Sequence, residues 1–412
     1  ALRKRSAAEG YYSLFMPEEL VALRDAIRTF IQREVAPKEA TYAQEITETG
    51  TFGALQQEKK ALRKRSAAEG YYSLFMPEEA GGGGVGYLGL VLCVEECMRH
   101  GLLLAMPGGV LPSVEGPTPI LLDGTPSQQE RYLQPTMRAE REACFALTEP
   151  DAGSDATRIR TRAVRDNGGW VINGRKHFIT HGAEADYVIL FAVTDPGKGA
   201  RGGISCFLVD TDTPGFEVGR RQRTMYDEHQ AELVFTDCRV GDDALLGKEG
   251  YGFYSAMRWI NGGRVSIAAM AVGVAQHLYE RMLEYAKVRE AFGRRIGANQ
   301  YVQGMIVDTL AELTQARLLV YDLAARLDSG ADGRQEAAMA KYVATEMVGR
   351  VADRAIQVFG GNGYMTEMGV ERWARFVRAM RLYEGTSEIL KTNIARTLGL
   401  DEPSRVPAPA VQ

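Results

Sequence analysis

The segment Arg381-Leu382-Tyr383-Glu384-Gly385-Thr386-Ser387-Glu388-Ile389 sets one carboxylate, Glu384, against a glycine and a Thr-Ser pair. A helical pattern precedes it over 370–380 and another follows over 388–397. Two helices can hold such a carboxylate still, while the glycine lets a bound molecule approach the backbone. This suits a general base that removes one proton from a substrate. The segment also reads as a helix start, with Thr386 or Ser387 as N-cap and Glu388 in the first turn. Both readings hold at once, because capping uses the hydroxyls and catalysis would use Glu384. Taken alone the segment needs only the cap; the rest of the chain favours the chemistry.

The run Phe145-Ala146-Leu147-Thr148-Glu149-Pro150-Asp151-Ala152-Gly153-Ser154-Asp155 ends a strand in a turn. Thr148 and Ser154 are donors there, and Gly153 lets backbone amides reach an anion such as a pyrophosphate. An ordinary Pro-Asp-Ala-Gly-Ser turn has the same residues. His177-Phe178-Ile179-Thr180 sets an aromatic beside a hydroxyl, as stacking on a planar ring would need; a core Phe with an edge Thr reads equally. Arg289, in Arg289-Glu290-Ala291-Phe292-Gly293-Arg294, is a candidate pyrophosphate partner beside Gln300, or a solvated surface charge. Gln357-Val358-Phe359-Gly360-Gly361-Asn362-Gly363 ends a helix in a glycine cap that leaves bare backbone. The glycine-rich 80–86 run contains GxGxxG, but no strand precedes it and no βαβ unit surrounds it. It is read as a flexible turn between helices.

These motifs need elements to position them. The 412 residues allow about three domains at roughly 150 residues each. Leu20, Leu23, Ile27, Phe30 and Ile31 recur at helical spacing, 87–104 is a second apolar helix, and 125–137 a third. Ser127 and Glu130 read as a capping box for that third helix. Over 143–240 the period drops towards two, with strands expected at 170–173, 187–193, 204–209 and 231–235. Asp166-Asn167-Gly168-Gly169 and Asn173-Gly174 are read as hairpin turns, and the domain as antiparallel. After Gly250 long amphipathic helices return, marked by Val302 through Leu327 and by 337–358, which argues for a bundle. The expected layout is an α-helical domain at 1–140, a β domain at 141–245, a helical bundle at 246–400 and a loose tail at 401–412.

With 49 basic and 53 acidic residues the net charge is −4, which gives no electrostatic footprint for nucleic acid. Cys93, Cys97, Cys144, Cys206 and Cys238 lack metal or disulfide spacing, and five scattered histidines add no cluster, so no metal is expected. No signal peptide or membrane-spanning run is read, which suggests a non-secreted protein. Residues 1–19 recur verbatim at 61–79. Natural repeats drift and solenoids need about three units, so the first copy is read as a duplicate without function.

Together, the 147–155 run, the 357–363 run and Tyr383-Glu384-Gly385-Thr386-Ser387 resemble the acyl-CoA dehydrogenase family over roughly residues 20–400. The resemblance implies an N-terminal α-helical domain, a central β domain, a C-terminal four-helix bundle, bound FAD and a homotetramer built as a dimer of dimers. It places Phe145, Leu147, Thr148, Gly153 and Ser154 at flavin-contacting positions, and Phe178, Ile179 and Thr180 at the isoalloxazine edge. Arg289, Phe292, Gln300, Gln357, Gly360 and Gly361 match positions that reach a neighbouring subunit's FAD, and Thr386 and Glu388 match positions near phosphate and ribose. Ser154, Arg264 and Gly385 match substrate-binding positions. Some relatives carry the base just before an arginine, but here that helix reads Asn261-Gly262-Gly263-Arg264, which leaves Glu384 as the base.

The implied reaction is α,β-dehydrogenation of an acyl-CoA thioester to the trans-2-enoyl-CoA. Glu384 takes the α-proton, hydride passes to flavin N5, and the thioester oxygen accepts from the Glu384 N–H and a ribityl hydroxyl. An electron-transfer flavoprotein is the implied acceptor, and the bacterial cytoplasm or mitochondrial matrix the implied location. A monooxygenase or oxidase on the same fold is an alternative disfavoured by Glu384 and the chain length. An acyl carrier protein thioester is an alternative substrate. A non-catalytic flavin scaffold is supported only by Ala291, where some relatives have a hydroxyl.

Overall fold

A computed structural model describes residues 16–39, 53–102, 104–105, 108–226 and 229–400. Residues 1–15 of the duplicated segment and the 401–412 tail lie outside the described residues. The order is helical, then sheet, then helical, as expected.

Helix α1 (Glu18–Phe30) buries Ile27 and Phe30 and runs on into a π turn (Ile31–Val35). Helix α2 is Gly53–Ala68 and α3 is Tyr87–Arg99. The Met-Pro-Glu-Glu tetrapeptide occurs in both copies of the repeated segment. Pro17 and Pro77 have nearly the same backbone angles, φ −51° and −56°, yet Pro17 opens α1 whereas Pro77 opens one 3₁₀ turn. The residues after the tetrapeptide make the difference: Leu-Val-Ala-Leu propagates a helix, and Ala80 with four glycines behind it stops one. The second copy sits inside the fold, where Arg63 is 2% exposed.

Two helix limits differ from expectation. Helix α3 ends at Arg99, short of 104, because Gly101 takes φ 65° and a side chain there would meet the His277 ring at 2.0 Å. The helical run 126–137 (α4) is capped by Thr125 and Gln128, not by Ser127 and Glu130. Pro126 has no N–H to offer and so occupies the first helical position, which moves the cap to Thr125. The glycine-rich 80–86 turn is held rather than loose: Gly84 donates to the Met76 carbonyl at 2.9 Å and Val85 to that of Leu74 at 3.0 Å.

The sheet is mixed, which corrects the antiparallel expectation. Its order is β6-β7-β3-β2-β4-β5-β8, with β1 pairing β4. The strands are β1 (Ala143–Ala146), β2 (Arg162–Asp166), β3 (Gly169–Thr180), β4 (Tyr187–Val193), β5 (Ile204–Asp210), β6 (Phe216–Arg223), β7 (His229–Gly241) and β8 (Leu245–Leu246). β1 and β2 both run parallel to β4. The hairpin at Asn167-Gly168 is present, with both residues at positive φ. Asn173-Gly174 is not a turn: β3 continues through it with a shift of register. A Cβ on Gly174 would lie 2.5 Å from Thr161 Oγ1, so this glycine marks a close approach.

Helices α5 (Gly252–Val288), α6 (Gln300–Asp328), α7 (Arg334–Phe359), α8 (Val370–Met380) and α9 (Ser387–Thr397) complete the chain. Buried alanines on α5 (Ala268, Ala271, Ala275) and α7 (Ala340, Ala344, Ala355) allow close packing. Val370, Trp373, Val377 and Met380 form the buried stripe of α8. All five cysteines are buried and unpaired, as core thiols are. Among the described residues, no helix is long and apolar enough to cross a membrane.

Candidate active site

Glu384 stands in the turn between α8 and α9 at φ 52°, with Gly385 next to it at φ 97°. A non-glycine residue at positive φ is disfavoured, and such strain gathers at functional sites. Thr386 then caps α9 by accepting from the Ile389 N–H at 3.3 Å. The cap reading therefore holds, and it leaves Glu384 uncommitted. Thr386→Ala is expected to cost about 1 kcal/mol in a urea titration, as N-cap losses do. Ser387 Oγ donates to Glu346 at 2.6 Å, which also receives Arg381 at 2.8 Å, so the start of α9 is tied to α7.

The Glu384 residue is half-buried, but its Oε2 is sealed from solvent without a hydrogen-bond partner. Burial pushes this carboxyl up to about 8, with Arg264 and then Lys341 pulling the other way. Arg264, on α5, donates from Nε to the Glu384 carbonyl at 3.1 Å and from Nη1 to Asn261 at 2.8 Å. It holds the backbone of Glu384, not its carboxylate. A Cβ on Gly263 would meet Glu384 Oε2 at 2.3 Å, so the carboxyl fills the space that this glycine leaves.

Two residues of the cluster were missed in the sequence. Lys341 on α7 is wholly buried and donates from Nζ to the Gly385 carbonyl at 2.8 Å. It shares a buried face with Ala337, Ala344 and Val348. A lysine on an alanine-rich stripe was the signal available. Trp259 on α5 stacks on Phe145 of β1 with centroids 4.1 Å apart at 14°. Trp259 lies five residues, about 7.5 Å along the helix, before Arg264. The stack therefore ties the β1 motif to the Glu384 cluster.

The other expected residues fall into two sets. Phe145, Leu147 and Thr148 lie on β1 and its exit, and the Thr148 carbonyl accepts from the His177 N–H at 2.9 Å. This bond sets the motif beside Phe178, Ile179 and Thr180 at the end of β3. Phe178 is 59% exposed at φ 56°, while Ile179 is buried. Thr180 Oγ1 bonds Gln230 at 2.6 Å. Gly153 and Ser154 are exposed, with nothing within 4 Å of a Cβ on Gly153. Lys176, wholly buried, braces this edge through Glu149 at 2.8 Å and the Leu147 carbonyl at 2.9 Å. Lys176→Met should cost about 3–5 kcal/mol in denaturant unfolding, because it strands the Glu149 charge.

Arg289, Phe292, Gln300, Gln357, Gly360 and Gly361 are exposed and gather elsewhere. Tyr285 stacks on Phe359 at 4.2 Å and accepts from Asn362 at 3.1 Å, which joins the end of α5 to the end of α7. Gln357 lies sixteen residues beyond Lys341 on α7, about 24 Å away. This set therefore does not join the Glu384 cluster within one chain. Glu388 is exposed on the first turn of α9, where its own backbone N–H and Thr386 hold its carboxyl below the usual range.

Three family descriptions match the chain: acyl-CoA dehydrogenase N-terminal domain at 17–140, middle domain at 144–238 and C-terminal domain at 250–399. It belongs to the acyl-CoA dehydrogenase family. The chain is thus an oxidoreductase acting on CH–CH groups in an FAD-dependent family. It is 38% identical over 387 residues to an acyl-CoA dehydrogenase of Bacillus subtilis, covering 93% of this chain and 99% of that one. It is 34% identical over 387 residues to the caffeyl-CoA reductase-Etf complex subunit CarC of Acetobacterium woodii, covering 93% and 99%. The butyryl-CoA dehydrogenase structure from Megasphaera elsdenii superposes with a TM-score of 0.82 at 30% identity, covering 94% and 99%. The β1–β3 edge fits FAD in kind: an exposed aromatic ring on a strained backbone, an open glycine, and His177 Nδ1 buried without a partner.

Proposed function

We propose that the protein dehydrogenates an acyl-CoA thioester between its α and β carbons, with Glu384 as the α-proton base. The observation that carries this reading is the sealed, unpartnered Glu384 carboxyl in a strained turn. FAD bound along the β1–β3 edge would supply the hydride acceptor for the β-carbon. Phe145, Leu147, Thr148, Gly153, Ser154, Phe178, Ile179 and Thr180 would hold its ring side, and Thr386 and Glu388 its phosphate and ribose side. Arg264 fixes the Glu384 backbone, so the carboxyl meets the α-carbon at one angle. The Glu384 N–H polarises the thioester carbonyl as charge builds there. The acyl group excludes water and keeps the carboxyl in the weakly solvated state that makes it a strong base. Ser154 and Gly385 line the thioester's path.

The remote set at the ends of α5 and α7 supports a homotetramer in which Arg289, Phe292, Gln300, Gln357, Gly360 and Gly361 reach a neighbouring subunit's FAD. The CarC relative, a subunit of an Etf complex, supports an electron-transfer flavoprotein as acceptor. The bacterial relatives support a cytoplasmic setting. Domain limits near 140 and 245 accompany this assignment.

Anaerobic titration of the FAD-loaded protein with a panel of acyl-CoAs tests the reading. Bleaching of the flavin by one chain type is expected, and an unbleached flavin with every acyl-CoA overturns it. The pH dependence is a second test. A base must be deprotonated, and Glu384 is held up near 8. Below that pH, kcat/KM should rise about tenfold per pH unit and then level off above it. A plateau already reached at pH 6 would remove Glu384 as the titrating group.

A further inference from the structure

We propose that Lys341 is a positioning residue for this reaction: its ammonium fastens the turn that aims Glu384, and its positive charge favours the anionic form of that carboxyl. The proposal rests on the reading of Glu384 as the base.

Lys341 reaches from α7, is wholly buried, and spends its hydrogen bond on a neutral acceptor, the Gly385 carbonyl at 2.8 Å. That carbonyl comes directly after Glu384, and both residues of the turn sit at positive φ. Gly385 takes its positive φ freely, but Glu384 at φ 52° is disfavoured and persists only if its surroundings hold it. Arg264 grips the Glu384 carbonyl from α5 and Lys341 grips the Gly385 carbonyl from α7, so consecutive peptide groups are pinned from two helices. Lys341 and Arg264 thus divide the backbone between them and leave the Glu384 carboxyl free to move a proton.

Glu384, Arg264, Glu346 and Glu388 are the charged groups that act on Lys341. Glu346 is already engaged by Arg381 and Ser387. Arg264 is a like charge and opposes Lys341. Glu388 is exposed and screened by solvent. The buried Glu384 carboxyl is left as the anion for which the buried ammonium matters most. Burial draws Lys341 down to about 8, so both partners titrate in the same range and each proton state depends on the other.

Two substitutions separate fastening from charge. Lys341→Gln keeps a donor for the Gly385 carbonyl but removes the charge, and Lys341→Arg keeps the charge. The FAD-loaded proteins are titrated by infrared spectroscopy on the carboxylic C=O band that Glu384→Gln removes. The midpoint should move alkaline by about one pH unit or more in the Gln variant and stay in place in the Arg variant. The kcat/KM profile should follow the same order. An unmoved midpoint in the Gln variant, or equal movement in both, overturns the proposal. If the Gln variant does not fold, a moved midpoint in the Arg variant overturns it and an unmoved one upholds it. The infrared midpoint does not depend on turnover, so it decides the Lys341 proposal even if Glu384 proves not to be the base.

Discussion

Glu384→Gln is expected to leave a folded, yellow protein that binds acyl-CoA and turns over about 10²–10⁴-fold more slowly. The substitution is nearly isosteric and removes only the proton acceptor. The backbone contacts of Arg264 and Lys341 go to the Glu384 and Gly385 carbonyls, which the Gln variant keeps. Ligand binding and flavin content should therefore match the wild type, and the loss should fall on kcat. A stability signature accompanies it. The folded state holds the Glu384 proton up to about 8, against an ordinary glutamate value of 4.5. Its contribution is complete below about 4.5, falls between 4.5 and 8 and is gone above about 8, so the wild type should weaken across that window. The Gln variant has no such proton to lose and should hold its melting temperature better as pH rises from about 5 to 8. Near-normal turnover in this variant would sink the base assignment.

The Glu384 cluster was partly legible because its chemistry is local. Residues 383–388 carry the proposed base, the glycine and the cap within six positions, and the cap formed as read. Strand β4 and helix α8 also formed at their expected limits, since each has an unbroken apolar pattern ended by polar or glycine residues. Lys341 could not be placed the same way. It lies 43 residues before Glu384, and only the packing of α7 against the turn brings the two together. The parallel partners of β4 were hidden for a related reason: alternation along a strand shows which face is buried, not which strand lies beside it. Gly174 misled because Asn-Gly is a strong turn signal, whereas here the missing side chain makes room for Thr161. The capping box was misplaced by two residues because Pro126 outweighed the polar pattern.

Gly263→Ala is expected to lower kcat/KM by about 100-fold while leaving the fold as stable or slightly more so. The added Cβ would lie 2.3 Å from Glu384 Oε2 and 2.7 Å from Oε1, a separation that cannot stand. Either the helix or the carboxyl must move. The backbone of α5 is fixed by wholly buried neighbours, Val265 and Ala268 among them, whereas the carboxyl is the free end of a side chain with no bond holding its Oε2. The carboxyl therefore yields, and a displacement of about 1 Å at a reacting group costs on the order of 10²-fold. Stability moves the other way, because alanine in a helix interior is favoured over glycine by about 1 kcal/mol. Gly262→Ala supplies the control. Its Cβ would meet only the Tyr87 hydroxyl, at an ordinary 3.6 Å, so it gains the same helix propensity without touching Glu384. Two adjacent alanine substitutions should thus share a stability gain and part in activity. If both lose turnover alike, flexibility of the α5 backbone and not the placement of Glu384 is what these glycines provide.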